Sequence, residues 1–153
     1  MLRIVFVAFA LVSPVVWAGD DLFSGTWKLN IAKSKLTPPI PRSHRAIIHA
    51  DSSGVRVREE IVEADGEPVT VTFECNFDGK DYPVTGSAFA DTVAMTRVDG
   101  HTIKSVVKKD GKVILSETEV VSQDGKTLRA DYSATDSEGK TITGVAVLDK
   151  TAP

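Results

Sequence analysis

The sequence has a single cysteine, Cys75, and only three histidines among its 153 residues. One cysteine excludes a disulfide within the chain, so a domain of this size has to be stabilised by its buried core. Long runs of one charge are also missing, because the 18 basic and 21 acidic residues are interspersed and give a net charge of −3. Without a basic patch to meet phosphate groups, nucleic acid is not expected as a partner.

Histidine, cysteine and serine show no arrangement typical of a catalytic or metal site. His44 and His49 are five residues apart on one predicted strand and therefore face opposite sides, and both are expected on the solvated surface. Cys75 continues the apolar alternation of Val71 and Phe73, which predicts a core residue rather than a reactive thiol. No serine lies in a nucleophile-elbow pattern. We therefore predict a non-enzymatic protein with no metal and no cofactor.

Four glutamates surround one predicted turn: Glu59, Glu60, Glu63 and Glu67. Paired carboxylates perform acid–base chemistry when one of them is buried and its pKa is raised. The neighbouring Arg56 and Arg58 indicate a solvated hairpin instead. The sequence therefore predicts that these glutamates are exposed and have no chemical role.

Residues 1–18 have the pattern of a cleaved signal peptide. A positive charge at Arg3 precedes the uninterrupted apolar run Ile4–Val12, and Val16 and Ala18 occupy the −3 and −1 positions of an A-x-A-like cleavage site. The apolar run is shorter than the roughly 20 residues that a bilayer-spanning helix needs. These features favour a signal peptide over a retained membrane anchor.

Cleavage is expected before Gly19, which leaves a single domain over residues 19–153. That length is enough for one domain with its own core. The mature chain is then expected in the periplasm or outside the cell, without an integral membrane segment.

The most regular feature of the sequence is a recurring pair in which an acidic residue is followed by glycine. The pairs are Asp65-Gly66, Asp78-Gly79, Asp99-Gly100, Asp110-Gly111, Asp124-Gly125 and Glu138-Gly139. Asp and Gly both tolerate the positive φ angles of tight hairpin turns. The intervening segments are rich in Val, Ile and Thr and alternate with a period of two, which predicts consecutive antiparallel hairpins.

The alternation is clearest in Val69–Phe77 and Thr127–Thr135, where apolar residues share one face and polar residues the other. An open meander of this length exposes two edges, whereas closure removes them. We predict an all-β protein, an antiparallel up-and-down meander of about 8–10 strands closed into a barrel. A barrel of this size is able to enclose a small ligand.

The first predicted strand contains a G-x-W motif, Gly25-Thr26-Trp27. This motif and the hairpin meander resemble the calycin group, the lipocalins and fatty-acid-binding proteins. The whole of Gly25–Ser34, with the later Asp-Gly-Lys turns, is similar to small secreted bacterial proteins called lipocalin-like. The resemblance implies a calycin-like barrel. The sequence departs from lipocalins because it lacks their cysteine pairs. It departs from fatty-acid-binding proteins because the segment Ala32–Arg42 is too short and too rich in proline to form their two-helix lid.

The resemblance also implies a partner for Trp27. In lipocalins the first-strand tryptophan commonly packs beneath an arginine from near the last strands, and Arg129 is the candidate here. The alternation of Thr127, Arg129 and Asp131 indicates instead an ordinary exposed arginine on a polar strand face.

Two functions fit this sequence. The first is an exported binding protein that holds a small lipophilic ligand inside the barrel, in space left by the inward row Ile142, Gly144 and Ala146 beside Ala130 and Ala134. The second is a solid-core barrel that engages another protein, as an interaction or inhibitor-type module. The candidate ligand-binding residues are Trp27, Phe73, Phe77, Met95, Ala130, Tyr132 and Gly144.

Overall fold

A computed structural model describes residues 21–152, which form ten antiparallel strands closed into one barrel. The strands are β1 (Gly25–Leu29), β2 (Ser43–Ala50), β3 (Gly54–Val62), β4 (Pro68–Asn76), β5 (Tyr82–Thr85), β6 (Thr92–Arg97), β7 (Thr102–Lys109), β8 (Lys112–Val121), β9 (Thr127–Thr135) and β10 (Thr141–Thr151). Each strand pairs with its chain neighbours, and β1 pairs with both β2 and β10. The predicted all-β meander and its closure are confirmed.

Five of the six acidic–glycine pairs lie in the tight turns that the sequence predicts, whereas Asp78 of the sixth pair forms a bridge with Thr96 of β6. Between β7 and β8, Asp110 and Gly111 both have positive φ angles, 49° and 74°. Two successive positive values are the geometry of a type I′ turn, whose twist matches that of the flanking strands. At the β8–β9 turn the carboxylate of Asp124 accepts a hydrogen bond from the backbone N–H of Lys126 at 3.1 Å, which stabilises the turn locally.

The connection between β1 and β2 is irregular, as expected, and its helical content is the single 3₁₀ turn Ile31–Lys33. The side chain of Asn30 caps that turn by accepting from the backbone N–H of Lys33. Lys35 then pairs with Val145 of β10 through two backbone hydrogen bonds of 2.7 and 2.8 Å. The connection therefore extends the barrel wall beyond the end of β1.

One end of the barrel, the base, is built around Trp27. Its ring is completely buried, and its Nε1–H donates to the backbone carbonyl of Phe23 at 2.8 Å. This bond holds the segment before β1 beneath the barrel. Lys150 of β10 pairs in register with Trp27, and its Nζ lies 4.8 Å from the indole centroid. The cation over the first-strand tryptophan is therefore Lys150.

Arg129 does not reach this position. Its guanidinium is exposed and donates two hydrogen bonds, at 2.6 and 2.7 Å, to the carboxylate of Asp131. The interpretation of Arg129 as an exposed residue on a polar face is correct, and the stacking partner implied by the resemblance is wrong. The physical reason is register, because the pairing of β1 with β10 places Lys150 beside the indole.

A second cation completes the base. The Arg97 guanidinium lies 4.4 Å from the ring centroid of Phe77 and 5.5 Å from that of Phe23. It also forms a largely buried ion pair with Asp21 at 2.7 Å. Arg97 thus joins the end of β6 to the segment that precedes β1, and the base combines three aromatic rings with two cations, Arg97 and Lys150.

Candidate functional site

Above the base the barrel encloses a cavity of about 450 Å³. Its walls are mostly apolar and come from β2 to β10, with Phe23 at the floor. Phe89, in the β5–β6 connection, also lines the cavity although 76% of its surface is exposed, so it marks the open end. Small-molecule sites typically have volumes of about 300–1,000 Å³ and predominantly apolar walls. The cavity falls in that range.

The structure brings three of the candidate ligand-binding residues together on the cavity wall. Phe73 of β4, Met95 of β6 and Ala130 of β9 all line it. Trp27 belongs to the base, and Phe77 lies under the Arg97 guanidinium.

Tyr132 and Gly144 border a second, more open depression, which is lined by β7 to β10 and shares Ser105 and Glu117 with the cavity. A Cβ atom at Gly144 would collide with the Tyr132 hydroxyl and lie 2.6 Å from the Lys35 carbonyl oxygen. The space left by Gly144 is therefore filled by the tyrosine ring, whose hydroxyl accepts from the backbone N–H of Thr37 at 3.2 Å. In the same inward row Ala146 does line the cavity.

Three glutamates project into the cavity from opposite walls. Glu59 is on β3, whereas Glu117 and Glu119 are on β8, which is not a neighbour of β3 in the barrel. The Ser105 hydroxyl on β7, itself buried, donates to Glu117 at 3.2 Å. A hydrogen bond from the same hydroxyl also lowers the pKa of Glu119, so Ser105 serves two carboxyls of β8. We call Glu59, Glu117 and Glu119 the interior carboxyl cluster.

Burial raises the pKa of every member of the interior carboxyl cluster. The pKa of Glu59 and that of Glu117 rise to about 7, and the pKa of Glu119 rises to about 8. Removal from water is the largest cause, because it penalises the charged form. Mutual repulsion adds to it, since Glu117 and Glu59 both raise the pKa of Glu119.

His44 lies beside this cluster, which corrects the expectation of a solvated surface histidine. Its Nε2 is 3.9 Å from a carboxylate oxygen of Glu59, is itself buried and has no hydrogen-bond partner among residues 21–152. Burial lowers the pKa of His44, and the nearby Glu63 partly opposes that shift. The expectation was wrong because His44 shares the inward face with Ala46 and Ile48; His49, on the other face, is exposed as predicted.

The expectation that the glutamates near the β3–β4 turn are solvated is wrong for two of them. Glu59 and Glu63 line the cavity, because they continue the inward face of β3 set by Val55 and Val57. Glu60 does lie on the outer face, where it accepts hydrogen bonds from Arg45 and Arg58, and Glu67 is exposed.

The sequence contained a signal for the interior carboxyl cluster that the motif analysis missed. Glu59 follows Val55 and Val57 at a period of two, and both Glu117 and Glu119 stand between Leu115 and Val121 at the same period. Acidic residues that occupy the same alternating positions as the apolar residues of a strand are expected to point into the barrel.

Residues 21–152 contain few other groups that are candidates for metal binding or catalysis. No group of three or more His, Cys, Asp or Glu residues within 21–152 has the geometry to hold a metal ion. Cys75 is a buried core residue, as predicted, and burial raises its pKa to about 11, so it is a thiol at neutral pH. No helix within the same residues is long and apolar enough to cross a membrane.

The fold and cavity define a small closed β-barrel with an internal chamber, and known proteins share this architecture. No protein-family model matches the chain, and no curated protein matches its sequence. A similar solved structure is the crystal structure of zebrafish ileal bile acid-binding protein complexed with cholic acid. The TM-score is 0.56 at 15% identity, over 85% of this chain and 99% of that one. At this identity the similarity shows the fold alone, and at that level it agrees with the calycin resemblance.

Proposed function

We propose that this chain is a non-enzymatic binding protein that holds a small, largely apolar ligand inside its barrel. The observation that carries the proposal is the cavity of about 450 Å³, apolar over most of its wall and open at one end. Protein interiors normally pack as densely as organic crystals. A chamber several times the size of an engineered cavity that admits benzene has room for an occupant.

The position of the large side chains supports ligand binding over a solid-core interaction module. A solid core requires Phe73 and Met95 to fill the interior, but both lie on the wall of an open chamber. The bulkiest buried ring, Trp27, is used in the base instead. The similar zebrafish barrel, which was crystallised with cholic acid, provides a precedent for a ligand in this architecture.

Binding is testable with Nile red, an uncharged environment-sensitive dye. We expect saturable fluorescence enhancement at about one site per chain, reversed by 1-decanol. Ala130→Phe places a ring in the cavity and should weaken dye binding about ten-fold or more, while the far-UV circular dichroism is retained. Overpacking is expected to cost no more than about 1–3 kcal/mol of stability.

The matched control is Ala94→Phe. Ala94 alternates with the inward Val93 and Met95 and is absent from the cavity wall, so dye affinity should stay within two-fold of the wild type. A folded wild-type protein that takes up no dye, together with a gain in stability for Ala130→Phe, would support the solid-core alternative instead.

We further propose that the protein is exported, on the pattern of residues 1–18, which lie outside the described residues. N-terminal sequencing of the protein from the exported fraction of its host should read Gly-Asp-Asp-Leu-Phe, beginning at Gly19. An exported protein that still begins at Met1 would refute cleavage, and recovery only in the cytoplasm would refute export.

A further inference from the structure

We propose that the ligand of this cavity is an amphiphile whose polar head is a protonated amine, rather than a carboxylate such as a fatty acid. This inference rests on the proposed function and adds the charge of the ligand. It starts from the composition of the wall: among the residues that line the cavity there is no lysine and no arginine, whereas four are glutamates. A ligand carboxylate buried there would have no cation to pair with, which is strongly unfavourable.

The interior carboxyl cluster has the arrangement that an ammonium group requires. Carboxyls approach from two opposite walls, β3 and β8, and the Ser105 hydroxyl is the one described side chain that donates to them, at Glu117 and Glu119. An ammonium group has three donors and no acceptor. It is able to donate to two or three of these oxygens at once, and such charge-assisted bonds are about twice as strong as neutral ones.

A second observation, independent of the acidic residues, also indicates an occupant. The Nε2 atom of His44 is buried without a partner, and buried polar atoms in native proteins are normally hydrogen-bonded. With its pKa lowered by burial, His44 is neutral at pH 7, so this nitrogen is able to accept a hydrogen bond from a ligand donor when the proton is on Nδ1. The partly exposed Phe89 at the open end provides an apolar surface for the ligand tail.

Five titratable side chains line the cavity around the expected position of the ligand head. They are His44 on β2, Glu59 on β3, Glu63 just after β3, and Glu117 and Glu119 on β8. In the empty protein burial keeps the pKa of the cluster near 7 to 8. A bound ammonium lowers those pKa values, so binding at pH 7 should release protons, and amine affinity should rise from pH 6 to pH 8.

The test compares three ten-carbon ligands that differ only in the head: decylamine, 1-decanol and decanoate, each below its micelle concentration. Affinities are measured at pH 8 by displacement of Nile red and by titration calorimetry. We expect decylamine to bind at least about ten-fold more tightly than 1-decanol, the gain of roughly one charge-assisted hydrogen bond, and decanoate to bind most weakly. Calorimetry in buffers of different ionisation enthalpy should show proton release with decylamine alone.

Variants separate the cavity from the negative surface of the protein. Glu119→Gln should weaken decylamine binding about ten-fold and leave 1-decanol within two-fold. Glu74→Gln removes the same charge from the outer wall, where Glu74 is exposed and paired with Arg56, and should change neither affinity. Equal losses in the two variants would mean that the amine binds the surface, and the inference would fail.

The remaining outcomes are equally decisive. If 1-decanol or decanoate binds as tightly as decylamine, the cavity binds ligands but does not select a cation, so the inference fails while the proposed function stands. If none of the three ligands displaces the dye and none gives a heat of binding, the proposed function itself fails.

Discussion

Replacing Trp27 with alanine is expected to lower the free energy of unfolding by about 3–5 kcal/mol. The indole is completely buried, is bonded to the Phe23 carbonyl and lies beneath Lys150. Its removal leaves a cavity in the base and leaves a buried carbonyl without its donor. Urea denaturation followed by circular dichroism, with the slope compared between variants, measures the loss.

Two further variants serve as comparisons for Trp27→Ala. Trp27→Phe keeps an aromatic ring but loses the Nε1–H donor, so its loss should be smaller than that of Trp27→Ala. Phe89→Ala removes an aromatic ring that is 76% exposed and should change stability by no more than about 0.5 kcal/mol. A loss below about 1 kcal/mol for Trp27→Ala would show that the base does not depend on Trp27.

The second large effect is a loss of stability as pH rises, caused by the interior carboxyl cluster. The folded-state pKa values, about 7 for Glu59 and Glu117 and about 8 for Glu119, lie above the usual 4.5. The folded state therefore holds protons that the unfolded state has released, and stability declines from pH 4.5 until the folded groups ionise. One unit of pKa difference corresponds to about 1.4 kcal/mol, so we expect a loss of at least about 2 kcal/mol between pH 6 and pH 8.

His44 changes stability with pH in the opposite direction and over a lower pH range. Its pKa is lowered by burial, so its contribution to stability is lost as pH falls below its usual value of about 6.5. Between pH 6 and pH 7 His44 partly offsets the loss caused by the carboxyl groups, and above about pH 7.5 the carboxyl groups dominate the slope. Hydrogen bonds from Lys109 and from the backbone N–H of Asp110 lower the pKa of the surface residue Asp91, so that it titrates below this range.

Glu119→Gln should raise the free energy of unfolding at pH 8 by about 2 kcal/mol, which corresponds to somewhat more than one unit of pKa difference. The same variant should flatten the dependence of that free energy on pH between pH 6 and pH 8. The exposed Glu74→Gln is the control and should leave the profile unchanged. Thermal or urea unfolding at half-unit pH steps, without ligand, provides the measurement. A wild-type profile that is flat or rises over this range would show that the carboxyls are solvated.

The strand order was predictable because it depends on local chemistry. Most acidic–glycine pairs specify a tight turn between neighbouring strands, and the alternating segments Val69–Phe77 and Thr127–Thr135 are observed as β4 (Pro68–Asn76) and β9 (Thr127–Thr135). Cavity-wall positions such as Phe73 also follow from a period of two. These features need no knowledge of which distant strands meet.

The interior carboxyl cluster and the cation over Trp27 depend on long-range geometry. Glu59 meets Glu117 and Glu119 across the barrel although β3 and β8 never pair, so their interaction follows from closure rather than from any hairpin. Lys150 is set by the register of β1 against β10. Arg56 and Arg58 lie on the outer face of β3 and favoured a solvated hairpin, so the inward position of Glu59 was not predicted.

The most direct test of ligand binding inside the barrel is methyl NMR of the folded protein during titration with 1-decanol, whose uncharged head makes the result independent of ligand charge. Cavity-wall methyl groups, those of Val57, Val71, Met95 and Ile103, should shift in a saturable manner and show contacts to the alkyl chain. The outward methyl groups of Val113 and Val120, which are exposed, should not shift. Shifts confined to the outer wall, or no shifts in the folded protein at high ligand concentration, would contradict the account.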